Sequence, residues 1–409
     1  MVLPSSASQL FSTASARPMG TGCKDIKVQR MNRNDASIEI RDLYKIFGRS
    51  PERYIESVRE GLSKADLARA NGHILGLNNI NISMSAGKIQ VVMGLSGSGK
   101  STLIRHINRL IEPTSGSIII DGRNIIEMSE LELREFRRNK TAMVFQRFGL
   151  LPHRTVIDNV TFGLEVRGVE AAKCRQIGMR WVDRVGLLGF ETRYPHELSG
   201  GMQQRVGLAR ALSNDASILL MDEAYSALDP LIRTDMQTML LELQSELKKT
   251  IVFITHDLDE ALRLGDRIVI LRDGSIVQQG DSQNILLNPA DDYIARFVKD
   301  VNRGRFIRVD AVMDPATRFE SGSLPQLKSG STLEVVAKAL TDSCYDMGVV
   351  TSENGQPLGV VSLRQITAAL SASAEERSAA EARQRGDKRT TDRCRQSSRT
   401  ASGAMEKLL

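Results

Sequence analysis

Nowhere in this 409-residue chain do about 18 apolar residues run uninterrupted, so no segment suits a bilayer-crossing helix. Membrane work would have to pass through a partner. The opening MVLPSSASQLFSTASARPMG has neither a basic leader nor an apolar core, which makes it a poor secretory signal and favours the cytoplasm. Cysteine is scarce: Cys23, Cys174, Cys344 and Cys394 are scattered without CxxC spacing, which argues against a zinc site or a disulfide framework and for free thiols. Excess charge is scarce as well. Lys and Arg number 55 against 49 Asp and Glu, leaving +6, a balance that can assist docking on an anionic membrane face but that uneven surface Lys and Arg also produces. What is present is 41% apolar and 25% charged residues, enough for a full core in two domains rather than one.

Residues 1–36, rich in Ser, Ala and Arg without period, read as a disordered arm or as upstream sequence ahead of a true start at Met31. Ile38, Ile40 and Leu43 alternate as a first strand, residues 77–83 form a second, and IQVVM at Ile89–Met93 is a short buried one running into a Gly-rich loop. Between the first two lies an insertion, residues 49–75, in which Pro51 suits a helix start and Ser63 with Asp66 a capping box, predicting two short helices. IVILRDGSIVQQG, with Asp273 and Gly274 between apolar runs, reads as a β-hairpin. The first domain should span 37–300. From 301 to 371 an amphipathic helix, two strands around an Asn-Gly turn and another helix predict a small βαββα unit. The tail, 372–409, has no aromatic residue and few large aliphatic ones, so disorder or a loose helix is expected.

The chemistry lies in five segments in a fixed order. GLSGSGKST at 94–102 places Gly94, Gly99, Lys100 and Ser101 between the buried strand and the apolar helix at 103–110, which turns successive backbone N–H groups toward one point where a polyphosphate is held. Lys100 would neutralise the β and γ phosphates, Ser101 offer its hydroxyl to Mg²⁺, and Thr102 sit near the α phosphate. Asp222 and Glu223 end the apolar run 218–221, two carboxylates at the C-terminal end of a parallel strand. The first suits a Mg²⁺ shell and the second a water-activating base. LSGGMQQR supplies Ser199, Gly200 and Gly201 ahead of the helix at 203–212, a second anion-holding helix start. Gln146 follows an apolar strand and His256 stands in VFITHDLDEA.

In this order the segments resemble the ABC transporter ATPases, over residues 38–297. The resemblance implies an α/β P-loop NTPase fold with an antiparallel β subdomain and a helical subdomain around 162–198. ATP and Mg²⁺ are the implied cofactors. Loop residues Gly94, Leu95, Ser96, Gly97, Ser98, Gly99, Lys100, Ser101 and Thr102 would hold the phosphates, and Phe47 would stack on the adenine. Ser199, Gly200 and Gly201 would grip the γ phosphate bound to an opposing copy, and Asp229 of SALD, after Glu223, would be a further nucleotide-binding residue. Gln146 would reach Mg²⁺ and the attacking water, and His256 the γ phosphate, so that catalysis rests on Glu223, His256, Gln146 and Lys100 and the metal on Ser101, Gln146 and Asp222.

YKIFGRSPERYIESVREGLSKADL and MDEAYSALDPLIRTDMQ look like the subfamily that energises glycine betaine and proline betaine uptake, whose members carry a helical insertion at this point. The unit at 301–371 resembles a single CBS motif, where the family commonly has a pair. The implied partners are a second copy, transmembrane permease subunits and, indirectly, a periplasmic or extracellular binding protein, with no nucleic acid. The implied place is the cytoplasmic face of the cell membrane. Alternatives from the same motor are an importer ATPase for choline, proline, methionine or a polar amino acid, and a soluble ABC ATPase acting on DNA or ribosomes. Such soluble proteins usually carry long coiled-coil insertions or two motor domains, and neither is present.

Overall fold

Strands that are apolar on both faces need cover on both sides, and three here are buried along their whole length: Ile89–Met93, Ile218–Asp222 and Thr250–Thr255. In the computed structural model, which describes residues 37–146, 149–315 and 324–371, they form the centre of a six-stranded sheet. Its order is Ser275–Gly280, Arg267–Arg272, Ile89–Met93, Thr250–Thr255, Ile218–Asp222 and Thr141–Val144. All neighbours are parallel except the first pair, the expected hairpin. Asp273 and Gly274 both take positive φ, 51° and 85°, the conformation a tight hairpin turn demands. The expectations placed on 1–36 and 372–409 fall outside the described residues, as do Cys23 and Cys394; Cys174 and Cys344 are free thiols.

A second, antiparallel sheet pairs Ile74–Met84, Ile38–Phe47, Ser115–Ile120 and Arg123–Asn124. The second of the expected strands begins at Ile74 rather than Leu77, because backbone pairing with Phe47 carries the ladder past the alternating stretch. The insertion folds as a 3₁₀ turn, Pro51–Tyr54, and two helices, Ile55–Arg59 and Lys64–Asn71. Ser63 caps the latter, its Oγ accepting from the Asp66 N–H at 3.1 Å and donating to the Asp66 carboxylate. Leu67, fully buried, packs with Tyr44, Ile46, Val58 and Leu75 in a small core of its own, and His73 Nε2 lies 2.9 Å from the Arg49 carbonyl, closing the insertion at its base.

Helices Val156–Val166, Ala171–Arg184 and Gly200–Ser213 pack together beside the parallel sheet. After the hairpin come Ser282–Leu287, Asp292–Phe297 and then the C-terminal βαββα order: Gln326–Lys328, Leu333–Asp342, Met347–Thr351, Pro357–Ser362 and Leu363–Ser371, with a two-residue strand, Asp314–Pro315, added at the sheet edge. The main apolar core is continuous from Val91 and Phe253 through Ile285, Ile294 and Ile307 to Leu333, Val350 and Ile366. Gln283 closes the same junction with polar bonds, donating to the Phe306 carbonyl at 2.8 Å and accepting from the Arg308 N–H at 3.0 Å.

The phosphate-loop helix, Lys100–Ile107, starts and ends earlier than the apolar run suggests, since Lys100 already has helical backbone and Arg109 takes φ 51°. It carries a buried histidine. Burial pushes the His106 imidazole down from its ordinary 6.5 to about 4, while its contact with the Thr102 carbonyl pulls the other way. Below pH 6.5 the unfolded chain therefore takes up a proton that the folded chain refuses until about pH 4, so stability is present above 6.5 and lost as pH falls. Urea unfolding should show a loss of roughly 2 kcal/mol between pH 7 and pH 5 from this group. In His106→Asn that part of the slope should vanish; an unchanged slope would clear His106.

Candidate functional site

The strand order explains why segments as far apart in the chain as Gly94 and His256 converge. Ile89–Met93, Thr250–Thr255, Ile218–Asp222 and Thr141–Val144 are consecutive neighbours and mutually parallel, so the residues that follow them emerge along one edge of the sheet. Those residues are the Gly-rich loop, His256, Glu223 and Gln146.

The loop's glycines are required by both space and backbone angle. A Cβ on Gly94 would lie 2.3 Å from the Leu271 carbonyl oxygen and one on Gly99 2.8 Å from the Gly76 carbonyl oxygen, with φ of 150° and 104°. The Gly274 N–H donates to the Ser98 carbonyl at 3.0 Å, so the hairpin turn braces the loop from behind. Lys100, almost wholly buried, donates to the Gly94 and Leu95 carbonyls at 2.8 and 3.2 Å.

Glu223 is the meeting point. Its carboxylate lies 3.5 Å from Lys100 Nζ and 3.4 Å from His256 Nδ1, and it accepts from Gln146 Nε2 at 3.3 Å. Its backbone takes φ 45°, a left-handed conformation unusual for a residue with a side chain and costing about 1–3 kcal/mol. It is held there because the Glu223 N–H donates to the Ile254 carbonyl and Ser226 Oγ donates to the Glu223 carbonyl, at 3.1 and 3.0 Å. Asp222, one residue back, is buried; burial raises its carboxyl pKa, and the Ser101 hydroxyl, donating at 2.9 Å, and Arg105 oppose this.

Beside these groups is a cleft of about 430 Å³. Ser96, Gly97, Gly99, Lys100, Ser101 and Thr102 line it together with Gln146, Glu223 and Phe47. Phe47 is 37% exposed, and its ring lies over Gly76, where a Cβ would come within 2.6 Å of it. Gly94, Leu95 and Ser98 do not line the cleft: Gly94 and Leu95 hold Lys100 through their carbonyls, and Ser98 receives the hairpin turn. Ser199, Gly200, Gly201 and Asp229 are not brought to it either. Ser199 caps the 14-residue helix Gly200–Ser213 on an exposed face, and Asp229 caps Pro230–Leu247 by accepting from the Leu231 and Ile232 N–H groups.

Sequence reasoning missed Lys64, Ile74, Leu75 and Gly76, which also line the cleft, and Ser226, 3.5 Å from Gln146 Nε2. Gly76 fell just before the expected strand 77–83 and became a strand glycine only because the ladder begins at Ile74, and Lys64 had no signal because its place depends on how the insertion folds back.

Asp222 and His256 do not line the cleft, but Asp222 is bonded to the lining Ser101 hydroxyl, so Ser101, the Gln146 amide, Glu223 and Asp222 together offer hard oxygens of the kind that suit Mg²⁺. Among the described residues no group of three or more His, Cys, Asp and Glu could hold a metal alone, so a cation here would need further oxygens from a ligand. The cleft pairs an aromatic face with a loop of N–H groups and a lysine, which fits a nucleoside polyphosphate.

A family model described as ABC transporter matches residues 77–226. The chain is similar to the glycine betaine transport ATP-binding protein OpuAA of Bacillus subtilis, at 52% identity over 70% of this chain and 69% of that one. It is also similar to the glycine betaine/proline betaine transport system ATP-binding protein ProV of Salmonella typhimurium, at 48% identity over 82% of each chain. Among solved structures it is similar to the dimeric post-hydrolysis ATP-binding cassette MJ0796 bound to ADP and Pi, with TM-score 0.52 and 30% identity over 60% of this chain and 98% of that one.

Proposed function

Because the chain belongs to the ABC transporter ATP-binding proteins, we propose that it is the ATPase driving uptake of glycine betaine, proline betaine and related quaternary amines across the cytoplasmic membrane. The observation that carries the catalytic part is the convergence of Lys100, Gln146 and His256 on one carboxylate, Glu223. The relatives' names carry the cargo. Phosphates rest on residues 96–102, with Lys100 exchanging its loop carbonyls for phosphate oxygens, and Phe47 offers its face to the adenine. Ser101, Asp222 and Gln146 would hold Mg²⁺, which supplies charge neutralisation at the phosphates. Glu223 takes the proton of the attacking water, and Gln146 and His256 orient that carboxylate and the water before it.

Ser199, Gly200 and Gly201, at the start of a 14-residue helix and away from this chain's own cleft, serve nucleotide held by a second copy; the dimeric ADP-bound relative supports this reading. Two nucleotides thus join two subunits, and hydrolysis releases them. The permease side is supported by a mainly apolar groove of about 630 Å³ that includes Phe145, Leu151 and Phe162. Phe145 faces this groove and the next residue, Gln146, faces the cleft, so a permease segment seated there would act one peptide unit from the water-positioning amide.

Uptake of labelled glycine betaine at high osmolarity in cells lacking this gene and in cells with it restored is the test. Uptake that depends on the gene supports the reading. Gene-independent uptake from cells whose purified complex still hydrolyses ATP would keep the motor and reject the cargo.

A further inference from the structure

The insertion after the first strand supplies a second cation to the cleft. Lys64, the first residue of its helix Lys64–Asn71, lines the cleft, and its Nζ lies 3.4 Å from Asp273 Oδ1 on the hairpin turn. The location follows from what that turn touches. Its Gly274 N–H binds the Ser98 carbonyl, and Gly274 and Gly99 both crowd the Gly76 carbonyl, while Gly76 lies beneath the Phe47 ring. Nζ therefore lies at the junction between the aromatic face and the phosphate loop, where the ribose and first phosphate of a nucleotide resting on both must pass. Two features fit this position for binding rather than for structure. The helix is anchored by Leu67, buried among Tyr44, Ile46, Val58 and Leu75, so Lys64 is presented without having to hold the insertion in place. Its partner Asp273 has a side chain 75% exposed, so the pair is screened and readily exchanged for a stronger anion.

We infer that Lys64 is a nucleotide-binding residue that draws its ammonium from Asp273 to the ribose and α-phosphate end of ATP and ADP. This rests on the ATPase reading above. Lys64 takes no part in the chemistry, so it should contribute to substrate and product binding alike.

The test is equilibrium titration of the full chain with a fluorescent ADP analogue and then with ATP by displacement. Lys64→Ala and Lys64→Met should each weaken both nucleotides about fivefold at low salt, and Lys64→Arg should restore most of the loss. The gap should narrow in 0.5 M salt, about a 4–5 Å screening length. In assembled transporter KM for ATP should rise with kcat unchanged, the signature of uniform binding. Asp273→Asn should tighten binding in the wild type and do nothing in the Lys64→Ala background, which separates release of Lys64 from simple removal of a negative charge. Wild-type binding with no change in Lys64→Ala would overturn the inference. Equal losses in Lys64→Ala and Lys64→Arg would also overturn it, since that pattern marks a structural position. A wild-type chain that binds neither nucleotide would instead overturn the ATPase reading.

Discussion

Glu223→Gln should bind ATP as tightly as the wild type and lose about 10²–10⁴ in turnover. The amide keeps the size of the carboxylate and can still accept from Gln146 Nε2, 3.3 Å away in the native protein, so the cleft keeps its shape. What disappears is the capacity to take a proton. Replacement with Gln also leaves the left-handed backbone at this position, φ 45°, secured by the Ile254 carbonyl and Ser226 rather than by the side chain. Because ATP would then bridge two copies without being consumed, an ATP-dependent dimer should accumulate on a sizing column while phosphate release stops. Phosphate release above about a tenth of normal would remove Glu223 as the base.

Lys100→Ala should fail one step earlier. The native ammonium has three protons to donate; two are directed at the Gly94 and Leu95 carbonyls, and Glu223 lies 3.5 Å away. This arrangement keeps a buried cation satisfied in the free protein, and in the proposed mechanism phosphate oxygens would replace the carbonyls. Truncation would remove the charge proposed to meet the terminal phosphates and leave Glu223 in the cleft without the Lys100 ammonium 3.5 Å away. Loss of one partner from such a desolvated charged contact costs about 2–5 kcal/mol, so ATP affinity should drop about 30-fold or more. Fluorescent-nucleotide titration measures it. An affinity within threefold of wild type would mean that the loop's N–H groups hold the phosphates almost unaided. The two substitutions therefore separate: one spares binding and stops turnover, the other weakens binding first.

The residues that converge on Glu223 and its cleft were legible because the chemistry proposed for them needs particular residue types at the ends of strands whose burial is itself legible. IQVVM and ILLM are apolar on both faces, hence central and parallel, and they point to Lys100 in the loop after the first and to Asp222 and Glu223 closing the second, whereas His256, just after TIVFIT, was read through the family resemblance. Asp273 and Gly274 marked their turn for an equally local reason, two consecutive positive φ angles. Lys64 was not legible. Its distance from Asp273 in the chain is 209 residues, and nothing in SKADL signals which way its helix faces once Leu67 is buried. The start of Ile74–Met84 was missed because a backbone ladder can outrun side-chain alternation. Asp229 was expected at a nucleotide, and its nearer employment, two N–H bonds at the start of Pro230–Leu247, is one the SALDP run also encodes, through a Pro in the first turn.

The unbroken core between the parallel sheet and the C-terminal strands bears on how the chain can be cut. Ile307, Leu333, Val350 and Ile366 are buried in the same cluster as Ile285 and Ile294, and Gln283 stitches the joint from the other side. A truncation near residue 300 would therefore not detach a pendant module. It would strip an apolar flank from the motor, and a shortened protein that aggregates or melts early would be reporting a torn interior rather than a lost sensor. Point substitutions on the outer face of Leu333–Asp342, at exposed Val335 for instance, would probe that unit while leaving the shared interior whole.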